Sequence, residues 1–206
     1  MGLMNPVIGV LALQGAFIEH EKMLRKIGAE VFEIRQPADF RQPKDGLVIP
    51  GGESTTQLKL LRELGLLEPI REEIRRGLPV FGTCAGLILL AKRVEGEDSR
   101  RIATMDMEVC RNAYGRQLGS FTTVAAVEDV GSDIPMTFIR APYINKVEGT
   151  ECKTLATVDG HVVAARQGVQ LATAFHPELE SDTRVHRYFL KMIAESSLPS
   201  AEKKER

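Results

Sequence analysis

Residues 7–82 predict a doubly wound α/β sheet, and three observations carry that expectation. Short apolar runs bounded by glycine or proline recur, amphipathic segments with helical spacing separate them, and each of those segments closes on glycine. Strand and helix patterns in alternation build a mostly parallel sheet with right-handed crossovers. In chain order the strands are "VIGVLAL" (7–13), "EVFEI" (30–34), "GLVIP" (46–50) and "LPVFG" (78–82). The helices are "FIEHEKMLRKIG" (17–28), "TTQLKLLRELG" (55–65) and "LEPIREEIRRG" (67–77). Their closing glycines suit the left-handed conformation after a helix end. Pro69 suits a first helical turn, where its missing N–H is no loss. In such sheets ligands gather at the carboxyl ends of the strands.

From about Ile102 to Val163 the pattern changes. "SFTTVAAV" (120–127), "MTFIRAP" (136–142), "KTLATV" (153–158) and "HVVAARQG" (161–168) are short strand-like pieces with turn residues between them. They read as antiparallel strands added to the parallel core. "VQLATAFHP" (169–177) and the amphipathic "TRVHRYFLKMIAES" (183–196) return the chain to the core as strand and helix. One domain over residues 1–196 is expected, with 197–206 a frayed polar tail.

The 206 residues are 43% hydrophobic, enough for one sizeable core. Twenty-seven Lys and Arg against 28 Asp and Glu give a net charge of −1, which offers no basic surface for nucleic acid and no polybasic membrane patch. A small neutral or zwitterionic substrate fits better. No apolar stretch reaches the roughly 18 residues of a membrane span, and the first residues lack the marks of a signal peptide. A cytoplasmic location is expected. There Cys84, Cys110 and Cys152 should be free thiols, and no Cys/His spacing suggests a metal site.

In "FGTCAGL" (81–87) a cysteine stands between two glycines, after one apolar run and before another. That is the position of a nucleophile elbow, where the chain turns sharply from strand to helix. The helix starting near Ala85 would aim free N–H groups at the sulfur, and the Ala85 amide is a candidate oxyanion donor. The alternative use of a lone cysteine is as a small buried apolar residue. A thiolate needs a base, and His176 closes the run 169–175 at the end of a core strand. On extended backbone Glu178 shares its face and reaches one imidazole nitrogen, leaving the other for Cys84. His20 and His186, in segments rich in Glu, Lys and Arg, read as solvated surface residues. His161 follows a turn and reads as exposed. Cys110 and Cys152 lack an elbow or a base and read as structural. A second oxyanion donor is expected from "IPGGES" (49–54), where paired glycines permit close backbone approach; Ser54 or Thr55 would cap the next helix there.

The combination "PGGES", "GTCAG" and "FHPE" resembles the class I, triad-type glutamine amidotransferases, a flavodoxin-like fold. More narrowly, "LQGAFIEH" (13–20), "GGESTT" (51–56), "FGTCAGLILLAK" (81–92), "RNAYGRQLGSF" (111–121), "FIRAP" (138–142) and "AFHPEL" (174–179) resemble the glutaminase subunits of pyridoxal 5′-phosphate synthase. The resemblance implies hydrolysis of L-glutamine to glutamate and ammonia through a thioester on Cys84, with His176 moving the proton and Glu178 orienting it. It places the oxyanion amides at Gly52 and Ala85, and glutamine binding at Gly51, Gly52, Glu53, Arg111, Ile139 and Arg140. Gln14, by the same resemblance, supports the oxyanion peptide once a partner docks; as a residue it would otherwise cap the first helix. The implied partner is a (β/α)8-barrel synthase subunit, in a large hetero-oligomer, that takes the ammonia through an internal tunnel. No cofactor or metal is implied.

Three other readings compete. A glutaminase serving another acceptor fits "RNAYGRQ" and "FIRAP" poorly. A non-catalytic docking subunit has no need of all three triad residues. A cysteine peptidase or redox chaperone leaves "PGGES" without a use.

Overall fold

The computed structural model describes residues 5–111 and 119–197. Strands β1 (Val7–Leu11), β2 (Glu30–Ile34), β3 (Gly46–Ile49) and β4 (Val80–Thr83) form where the apolar runs predict them. Helices α1 (Phe17–Lys26), α3 (Ser54–Glu63) and α4 (Leu67–Arg75) lie between them. A one-turn α2 (Pro37–Phe40), capped by Gln36 and Asp39, is an addition that its length hides from periodicity.

The parallel part of the main sheet runs β2-β1-β3-β4 and is extended by β12 (Gln170–Thr173), which pairs with β4 from Gln170↔Val80 to Thr173↔Thr83. Every residue of β3 and β4 is buried, as expected of strands covered on both faces. Strand order reverses between β1 and β3, the place where doubly wound folds open a crevice.

Beyond β12 the sheet turns antiparallel through β11 (His161–Gln167), β9 (Tyr143–Val147) and β6 (Met105–Cys110), and ends on β5 (Ala91–Val94), which runs parallel to β6. β10 (Cys152–Val158) pairs with β11. β7 (Ser120–Val127) and β8 (Gly131–Ile139) form a separate ribbon. The architecture is thus mixed α/β with added antiparallel strands, as expected. β8 starts five residues before the predicted "MTFIRAP", because the tight turn at Asp129, φ 63°, lets pairing resume at Gly131.

α1 and α6 (Arg184–Ser196) pack on the same residue of β4. The Phe81 ring meets His20 and His186 edge-on and lies 5.6 Å from the Phe189 ring. Of the tail, Ser197 closes α6 and residues 198–206 lie outside the described residues. Among the described residues no helix is long and apolar enough to cross a membrane.

Candidate active site

β4 ends at Thr83 and the short helix α5 (Ala85–Leu90) starts at Ala85, so the whole reversal falls on Cys84, at φ 48° and ψ −97°. A non-glycine residue in such a sparsely populated region costs about 1–3 kcal/mol and persists only where its surroundings force it. Here the force is packing: a Cβ on Gly86 would overlap the Ile49 carbonyl oxygen, so α5 lies directly on β3. The Cys84 N–H donates to the Thr173 carbonyl at 2.7 Å, tying the elbow to the end of β12.

The sequence places His176 and Glu178 on extended backbone. The structure brings them together by another route. β12 stops at Thr173, whose hydroxyl donates to the Phe175 carbonyl at 3.0 Å, and His176 caps a 3₁₀ turn over Pro177–Leu179. Pro177 favours that turn because its ring presets φ and it has no N–H to lose. The His176 N–H donates to the Thr137 carbonyl of β8 at 2.8 Å, fixing the ring's root. Its Nδ1 lies 2.7 Å from Glu178 Oε1, and Cys84 lies close enough to the same ring to raise its pKa. Burial opposes a charge on His176, but the hydrogen bonds to Cys84 and Glu178 prevail and hold its pKa up to about 10. Burial likewise opposes ionisation of Glu178, yet His20 and His176 keep it below the usual carboxylate range. At neutral pH the His176 ring therefore keeps its proton, beside the Glu178 carboxylate.

The glycine loop is anchored from the β1–α1 loop. The Gly51 carbonyl accepts from Ala16 N–H at 3.0 Å, and the Glu53 N–H donates to Gln14 Oε1 at 2.8 Å. N–H and C=O of a trans peptide point opposite ways, so the first bond aims the Gly52 N–H away from Ala16. Gly51 admits no side chain, since a Cβ would sit 2.9 Å from His176 Nδ1 and 3.3 Å from Cys84 Cβ. Gln14 does not cap α1, whose N-cap is Ala16 without a side-chain bond. The cap of α3 is Glu53 rather than Ser54 or Thr55: its Oε2 accepts from Thr56 N–H at 2.9 Å and from the hydroxyls of Thr55 and Thr56. A carboxylate reaches the helix N-terminus from one residue further back and suits its dipole better than a hydroxyl.

Gln14, Gly52, Glu53, Cys84, Arg111, Ile139, Arg140 and His176 all line one cleft of about 340 Å³, with Ser54, Ile88 and Pro142. Gly51, Ala85 and Glu178 are buried immediately behind it. The volume lies at the small end of ligand pockets, as an amino acid requires. Arg111 spans two carboxylates, bonding Glu97 through Nη1 and Glu53 through Nη2, the latter at 3.4 Å. Arg140 is exposed at φ 43°, and its N–H donates to the Gly119 carbonyl at 2.6 Å. The rest of the "RNAYGRQ" block, 112–117, lies outside the described residues. A larger cavity of about 550 Å³, lined by Leu58, Arg62, Ile88 and Arg101 among others, touches neither Cys84 nor His176, and chemistry rather than size selects the smaller one.

His20 and His186 are not surface residues. Both are fully buried, on the apolar stripes of α1 and α6. The charged neighbours misled, but the spacing was available: His20 follows Phe17 by three and precedes Leu24 by four, and His186 precedes Phe189 by three. His161 is half-buried and stacks on the Tyr143 ring at 4.1 Å. All three cysteines are free. Burial pushes the Cys152 thiol up to about 11. Gln57 was not foreseen either; its amide donates to the carbonyls of Gln14 at 3.0 Å and Pro50 at 3.1 Å and clamps the two loops together.

Residues 10–195 match the SNO glutamine amidotransferase family. A pyridoxal 5′-phosphate synthase subunit PdxT from Methanocorpusculum labreanum is 60% identical over 187 residues, covering 91% of this chain and 97% of that protein. A PdxT from Streptococcus pneumoniae is 56% identical over 191 residues, covering 91% and 97%. A solved structure described as a glutamine amidotransferase is 43% identical, with a TM-score of 0.85 over 91% of this chain and 98% of its own. Another glutamine amidotransferase structure, from Thermotoga maritima, is 16% identical at a TM-score of 0.62 over 100% of this chain and 92% of its own, and shares the fold. A match over most of the sequence, on a chain whose elbow cysteine, histidine and carboxylate meet beside a glycine loop, establishes that the protein belongs to the SNO glutamine amidotransferase family.

Proposed function

We propose that this protein hydrolyses L-glutamine to L-glutamate and ammonia, with Cys84, His176 and Glu178 as its catalytic groups, and passes the ammonia to a pyridoxal 5′-phosphate synthase subunit. The single observation that carries the reading is the meeting of Cys84 and His176 in one amino-acid-sized cleft, with His176 Nδ1 2.7 Å from Glu178 Oε1. The names of its relatives at 55–60% identity support the acceptor.

The chemistry follows from the geometry. The Cys84 sulfur attacks the side-chain amide carbon, and the negative charge on the oxygen of the tetrahedral intermediate is met by the N–H groups of Gly52 and Ala85. One such donor is worth roughly 10²–10³ in rate. His176 gives its proton to the leaving nitrogen, and ammonia departs from a thioester. Water, losing a proton to His176, then releases glutamate. Glu178 holds the ring and stabilises its charge without taking its proton. Gly51, Glu53, Arg111, Ile139 and Arg140 hold the amino-acid end of the substrate. Arg111 must loosen one of its two carboxylate contacts to receive it. Gln14 fixes the peptide after Gly52, so that docking of the partner acts through the loop it anchors. The partner is a (β/α)8 barrel in a large hetero-oligomer that receives the ammonia through a tunnel, and the pair works in the cytoplasm.

The test is glutamate and ammonia release from L-glutamine by wild type and Cys84→Ala, each with and without a cognate synthase subunit. Activity that needs Cys84 and rises with the synthase supports the reading. A wild type that stays silent with the synthase bound replaces it with a docking subunit.

A further inference from the structure

Three fully buried polar side chains that none of these steps uses stand directly behind Glu178. Thr83 of β4, His20 of α1 and His186 of α6 are each at most 1% exposed. His20 Nε2 lies 3.1 Å from Thr83 Oγ1 and 3.4 Å from Glu178 Oε2, and its Nδ1 lies 3.0 Å from His186 Nε2. Glu178 Oε2 makes no full hydrogen bond, so the carboxylate is satisfied on its His176 side and under-satisfied on the other.

We propose that His20 is a positioning residue for the reaction: its Nε2–H faces the far oxygen of Glu178 and holds the near oxygen on His176, while His186 sets the tautomer that makes this possible. The tautomers follow from the partners. An ionised carboxylate only accepts, so His20 Nε2 must carry the hydrogen. His20 Nδ1 is then a bare acceptor and takes the hydrogen of His186 Nε2, which leaves the partnerless His186 Nδ1 as a lone pair rather than a stranded donor. The Nε2 hydrogen bonds the nearer Thr83 oxygen at 3.1 Å, which leaves the 3.4 Å contact to Oε2 long, as catalytic contacts often are before substrate binds.

A neutral donor has a reason to be there. A lysine or arginine behind Glu178 would neutralise the charge that His176 draws on, whereas a neutral imidazole orients the carboxylate and leaves its charge forward. Burial and the proton on His176 lower the His20 pKa against the pull of Glu178 and Glu19, and burial holds His186 well below the usual imidazole range. The titratable groups facing this cluster are thus Glu19 from α1, His186 from α6, and His176 and Cys84 across Glu178.

The proposal rests on the glutaminase reading, and the experiment separates their failures. Wild type and Cys84→Ala are first assayed with synthase; loss of that contrast overturns the function itself. Iodoacetamide alkylation of Cys84 is then followed from pH 4 to 9 in wild type, His20→Leu and His20→Gln, alongside kcat, KM and melting temperature in the complex. Gln keeps an amide N–H near the place of Nε2; Leu keeps only bulk. Removing a donor from Glu178 raises its pKa, so it protonates earlier on acidification and the acid limb moves to higher pH. The expected result is that His20→Leu shifts this limb upward and loses about 10- to 100-fold in kcat with KM little changed, as when an outer group that orients a histidine is removed. His20→Gln keeps the limb and most of kcat. An unshifted limb in folded His20→Leu overturns the proposal, as does a folded His20→Gln as impaired as His20→Leu. If His20→Leu does not fold, His186→Phe, which frees the His20 tautomer, must show the same upward shift.

Discussion

A methyl group at Gly51 would overlap Cε1 of His176 and lie 3.3 Å from Cβ of Cys84, so the ring and the thiol cannot both keep their places. Gly51→Ala should lose about 100-fold in glutaminase kcat with a near-native circular dichroism spectrum, since a misplacement of about 1 Å costs that much. The proton on His176 gives a second test. Its folded-state pKa of about 10 lies above the unfolded value of about 6.5, so its stabilisation is complete below about pH 6.5 and lost as pH rises through about 10. The melting-temperature advantage of wild type over His176→Gln should shrink across that window in a thermal-shift series. The thiols supply a third: at neutral pH iodoacetamide should modify Cys84, which faces the cleft, well before Cys152, whose buried thiol titrates near 11. Peptide mapping after short exposures reads the order. The cysteine, its histidine and the glycine loop were legible because each is a local pattern at a strand end. His20 and His186 were not, because their role depends on which face of two helices, 166 residues apart, turns inward on the same strand.

The helices end where the sequence says, and for the stated reason. After α3, Gly65 at φ +67° lets its N–H reach the Arg62 carbonyl at 3.1 Å and the Leu66 N–H reach Leu61 at 2.8 Å; α1 and α4 close in the same way. A Cβ at Gly65 would meet nothing within 4 Å, so Gly65→Ala isolates the backbone term. It should cost about 1 kcal/mol in urea denaturation, Gly65→Asn less, and leave glutaminase activity intact. β5, β6 and β9 escaped the reading: α5 runs straight into β5 at Ala91 with no breaker between them, and "AKRV" is too short and too charged to announce a strand. The His176–Glu178 pairing was foreseen on the wrong backbone. Extended and 3₁₀ chain can both bring residues two apart to one hydrogen bond, and only Pro177 hinted at the turn.

Six segments supply the cleft: the loops after β1, β3 and β4, the ends of β6 and β8, and the bend after β12. β12 is the late arrival, lying against β4 with Gln170 opposite Val80 and about 90 residues of chain between them. During synthesis, at roughly 5–20 residues per second, β4 therefore waits several seconds with one edge open. Throughout that wait the cysteine has neither its histidine nor the Thr173 carbonyl that holds the elbow. A chain released before β12 therefore carries an idle thiol rather than an unsupervised source of ammonia, because the last strand of the parallel sheet also brings the last parts of the site.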